Sequence, residues 1–63
     1  MTEFEEAILG ALLSVERGST TPADASLLRR LGLLDERGIS DFGAAVRDEL
    51  LSIFKQQARK GEN

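Results

Sequence analysis

Helix punctuation constrains this chain more than anything else in it. Three times within 63 residues a side chain suited to an N-cap opens a run with helical spacing, and glycine follows the first two runs. Thr2 with Glu5 three residues on reads as a capping box, in which the threonine oxygen accepts the Glu5 amide proton and the glutamate reaches back. Glu3, Glu5 and Glu6 crowd the positive end of the helix dipole, and Gly18 suits the left-handed stop after Arg17. Thr21, Pro22 and Asp24 fall at N-cap, N1 and N3 of a second, short helix that Gly32 ends. Asp35-Glu36-Arg37-Gly38 is a polar turn. Ser40 then caps a third helix, with Asp41 in its first turn and Ile39 outside it as a staple. The spacing predicts helices over about 3–17, 22–31 and 41–59.

Each helix shows an apolar stripe. Phe4, Ile8, Ala11, Leu12 and Val15 share one face of the first. Leu27, Leu28 and Leu31 mark the second, and Phe42, Val46, Leu50, Ile53 and Phe54 the third. No stretch alternates with period two over strand length. The expectation is an all-α fold, a small three-helix bundle forming one domain over 1–63 with its last few residues frayed. All three phenylalanines read as core. Leu33 and Leu34 lie in a connector and should be partly buried. A very short extended pair around them and Ile39 would make a vestigial wing-like turn at 33–40. Lys55, Arg59 and Lys60 sit at the end of the last helix, where cations suit the dipole.

Composition then removes function classes. There is no cysteine, hence no disulfide or thiolate, and no histidine, the commonest metal ligand. A nucleophile needs a base in reach, and Ser14, Ser26, Ser40 and Ser52 fall at helix surfaces or caps. Adjacent carboxylates such as Glu5–Glu6 or Asp48–Glu49 diverge by about 100° on a helix and cannot converge on one point. The stretch from Asp35 to Asp41 lacks EF-hand spacing. No enzyme activity, cofactor, metal or small-molecule substrate is expected. The acidic start after Met1 is the opposite of a signal peptide, and no apolar run reaches the roughly 20 residues of a membrane span, so a cytoplasmic protein is expected.

What remains is surplus apolar surface. Leu9 and Leu13 fall outside the main arc of the first helix, one turn apart on the same side, and Leu51 and Ala58 do so on the third. One small bundle needs one apolar face per helix. The extra leucines therefore suggest a second contact surface, for a protein partner or a second copy, with Glu5, Glu6 and Glu16 as its acidic rim. The alternative is that the domain wraps the first helix more fully, making Leu9 and Leu13 core. The leading expectation is a small regulatory or inhibitor protein acting by protein–protein contact, by analogy of class a phage- or mobile-element-type inhibitor.

Nucleic acid is the other expectation. The net charge of −3 argues against it for the chain as a whole. Residues 25–38 nevertheless carry three bases and two acids, whereas residues 1–24 carry five acids and one base. The segment from Leu27 to Gly43 resembles the distal half of winged-helix regulators: a Leu31-Gly32-Leu33-Leu34 step after the recognition helix, a short wing with Gly38, then Ser40-x-x-Gly43 opening the last helix. The resemblance implies DNA contact by Arg29 and Arg30 on the recognition helix and by Arg37 at the wing tip. The chain has room for one helix ahead of this segment where the family has two, and its wing is shortened to a turn.

Overall fold

The computed structural model describes residues 1–61, in a small, mostly helical fold. Helix α1 (Glu3–Arg17) is followed by α2 (Pro22–Arg30), the two-residue strands β1 (Leu34–Asp35) and β2 (Gly38–Ile39), and α3 (Asp41–Gly61). α2 stops one residue short of the expected end and α3 runs two residues beyond it. The anticipated fraying falls partly on Glu62 and Asn63, which lie outside the described residues.

The caps explain the boundaries. Thr2 Oγ1 accepts from the Glu5 amide at 3.1 Å, and Glu5 Oε1 accepts from the Thr2 amide at 2.9 Å, completing the capping box. Thr21 Oγ1 accepts from the Asp24 amide at 3.2 Å, with Pro22 at the position where no amide proton is needed. Gly32 turns left-handed at φ +77°, its amide donating to the Arg29 carbonyl at 3.0 Å. The Leu33 amide donates to the Leu28 carbonyl at 2.8 Å, and Leu28 and Leu33 are both buried. That is a Schellman stop with its apolar clasp.

The stop delivers the chain into an antiparallel ribbon that pairs Leu34 with Ile39 and Asp35 with Gly38. The extended pair is thus real, displaced by one residue, with Leu33 serving the core and Leu34 half-buried. At the tip, Asp35 Oδ1 accepts from the Arg37 amide at 2.8 Å. Aspartate at the first position and glycine at the fourth are the residues such a turn favours.

Ser40 joins ribbon to helix. Its hydroxyl donates to the Gly32 carbonyl at 2.7 Å and accepts from the Gly43 amide at 2.9 Å, while its own amide donates to the Leu33 carbonyl at 3.0 Å. Gly43 lies directly under Leu33, and a Cβ there would run into the Leu33 carbonyl oxygen. The first turn of α3 can seat this closely only because position 43 has no side chain.

The core consists of Ile8, Leu9, Ala11, Leu12, Leu28, Leu33 and Leu50, with Leu12 and Leu28 fully sealed. No polar or charged side chain is buried among the described residues. α1 contributes four of the seven and touches α2, β2 and α3, so the other elements assemble on it.

Two expectations are corrected here. Leu9 is 6% exposed and belongs to the core, and Leu13 is half-buried against it, because α1 is covered over a wider arc than one stripe. The phenylalanines are outside rather than inside: Phe4 and Phe42 are each 60% exposed and Phe54 is 53% exposed.

Candidate apolar interface

Periodicity places a side chain on a face but does not say whether anything stands opposite. Phe4 and Phe42 are each the second residue of a helix, at the outer end of a stripe where cover is thinnest. Phe54 lies beyond Leu50, the last buried residue of α3 among those described. The three rings consequently line surface hollows instead of filling the interior.

Two such hollows share α1 and α3 as walls. The first, of about 310 Å³, has Phe4 and Ile8 of α1 on one side, Phe42, Val46 and Leu50 of α3 on the other, and Leu31 and Leu33 from the end of α2 and the connector beyond it. Glu5 is its one charged residue. The second, of about 440 Å³, is lined by Met1, Leu9, Gly10 and Leu13 against Leu51 and Phe54, with Glu6 on its margin. Leu9 and Leu13 thus do border an apolar hollow, as its walls rather than as a raised stripe.

The expected acidic rim is dispersed. Glu5 borders the first hollow, and its carboxylate is occupied by the cap. Hydrogen bonds from the Thr2 backbone and side chain hold its pKa below the ordinary carboxylate value. Glu6 borders the second hollow. Glu16 is bound to Arg47 of α3, with Oε1 accepting from an Arg47 Nη at 2.7 Å. Arg47 also donates to Asp48 Oδ1 from Nε at 3.1 Å and from its second Nη at 3.0 Å. These partners raise its already high pKa, Glu16 most of all. The pair links the last turns of α1 to α3 and leaves Glu16 no part in either rim.

The arginines of the second expectation are all exposed: Arg29 and Arg30 in the last turn of α2, Arg37 at the ribbon tip. Both ion pairs seen among the described residues belong to Arg47, not to these three. Arg29 shares a surface hollow with Asp35 and Glu36, so two carboxylates dilute the positive field there. Among the described residues, no three His, Cys, Asp or Glu side chains converge as a metal site, and no helix is long and apolar enough to cross a membrane.

The sequence reading missed Phe4, Leu31, Phe42 and Phe54 as surface residues. Their one advance signal was position, since three of them close or open an apolar stripe next to a helix end. No protein-family pattern, curated protein or solved structure matches the chain.

Proposed function

We propose that this chain is a non-enzymatic regulator that works by protein–protein contact, with the hollow between Phe4 and Phe42 as its docking face. One observation carries the reading: two phenylalanine rings, each 60% exposed, flank a hollow whose other walls are apolar apart from Glu5. Apolar surface left in water costs about 25 cal/mol per Å², and a small chain has little stability to spare for it. Clustered exposed aromatics around a concavity are the anatomy of an interaction site. The occupant that fits is an amphipathic helix of a partner protein, placing two or three apolar side chains at helical spacing between the rings. Glu5, the one charged residue of the hollow, favours lysine or arginine along that helix. In this reading the three helices form a minimal bundle centred on α1, and inhibition by occlusion is the mode of action. The phage- or mobile-element role remains an analogy of class.

The test is site-specific photocrosslinking in the producing cell, from position 42 and, as a control, from exposed Ser52. The reading expects a product from position 42 that disappears with Phe4→Asp and whose crosslinked peptide is an amphipathic helix with basic flanks. Equal products from both positions, or survival of the product in Phe4→Asp, would overturn it.

A second reading, a trimmed winged-helix DNA binder with a vestigial wing-like turn, is favoured by the exposure of Arg29, Arg30 and Arg37 and by the ribbon directly after α2. Three arginines supply few phosphate contacts, so binding would be weak and salt-sensitive. Heparin retention lost in Arg29→Ala/Arg30→Ala would support it. Retention unchanged by those substitutions would remove it.

A further inference from the structure

The second hollow, between α1 and the outer half of α3, is distinct from the proposed partner face and has its own features. We propose that it is covered by a second copy of this chain, two molecules docking through it about a twofold axis.

The first observation is Gly10. It stands in the middle of α1, in the wall of the hollow, and a Cβ built on it meets nothing within 4 Å. No contact within one molecule needs a glycine there, so the bare backbone is free to admit another helix at close range. The second is the ring of Phe54, 53% exposed beside it. The third is charge. With Glu5 taken up by the cap and Glu16 by Arg47, Glu6 is the acid left at the hollow on the α1 side, while exposed Lys55 follows Phe54 on the α3 side. A hollow with an acid on its α1 wall and a base beside its α3 wall is complementary to itself when two copies lie head to tail. In the proposed twofold arrangement the outer half of one α3 lies along the other molecule's α1, which sets Lys55 of each copy toward Glu6 of the other. In such an isologous contact every pairing occurs twice. The fourth is size. The molecule measures 42 × 20 × 19 Å, and only a long side spans the roughly 800 Å² per partner of a standard interface.

Sedimentation equilibrium on the full chain tests this without any knowledge of a partner protein. The wild type should be a reversible dimer. Gly10→Leu, which fills open space and keeps α1 intact by circular dichroism, should weaken it about tenfold or more, as expected for blocking the centre of an interface. Glu6→Lys and Lys55→Glu should each weaken it, and the two together should recover most of the loss. Phe42→Ser should leave the dimer unchanged, which separates this proposal from the partner-helix reading. A monomer at about 1 mM, where even weak contacts register, would overturn the proposal. So would a dimer indifferent to Gly10→Leu, or a double charge variant no better than the single ones.

Discussion

The two halves of α3 are held in different ways. The inner half begins in a fixed seat: Ser40 closes on Gly32 and Gly43, Gly43 rests against the Leu33 carbonyl, and Leu50 enters the core. The outer half, after Leu50, contributes no fully buried side chain among the described residues and carries an exposed phenylalanine. One continuous helix is thus anchored in its first half, where Phe42 is the one large apolar side chain left exposed, and is held by partial burial alone in its second. The seat of α3 is built from small residues in tight geometry, whereas the surfaces proposed for binding are built from large residues left without cover.

Substitutions should expose this asymmetry. The largest effect belongs to Gly43→Ala. Alanine is the better helix former by about 1 kcal/mol, but its Cβ must displace the Leu33 carbonyl, and overpacking costs about 1–3 kcal/mol or more. Because the Cβ meets backbone rather than a flexible side chain, the cost falls at the upper end, about 3 kcal/mol, and a net loss of about 2 kcal/mol is expected in urea unfolding. A gain in stability would show that the seat yields and that the comparison is wrong. Ser40→Ala removes an N-cap and the bond to Gly32 together, and should cost about 1.5 kcal/mol. A loss well below that would mean water replaces the hydroxyl without penalty. The smallest effect is expected from Phe54→Gln in the outer half, within about 0.5 kcal/mol when measured on the monomer at high dilution. A loss as large as that from Gly43→Ala would place Phe54 among the residues that hold the fold.

The parts of the molecule governed by local chemistry were legible in the sequence. Thr2 with Glu5, and Thr21 with Pro22 and Asp24, each fix a helix start through contacts spanning three residues, and Gly32 fixes a stop in the same way. Boundaries accordingly fell within two residues, and the ribbon was displaced by one. The candidate surface depends instead on which elements face one another across long sequence separations. Leu9 looked surplus because the wheel of α1 was read against a single neighbour, while the chain surrounds α1 on several sides. Phe4 and Phe42 looked interior for the converse reason, since their stripes are correct but their ends meet only each other's hollow. Glu16 looked like part of a rim because its partner, Arg47, lies 31 positions away.

The ribbon tip has a practical consequence. Glu36 and Arg37 are exposed, and the turn's one side-chain hydrogen bond, from the Arg37 amide to Asp35, stays within it, while the clasp through Ser40 acts at the ribbon's base. Lengthening a loop is cheap, at about 0.6 kcal/mol for each doubling. A fluorophore-accepting peptide or an affinity handle inserted between Asp35 and Gly38 would therefore mark the protein without occupying either apolar hollow.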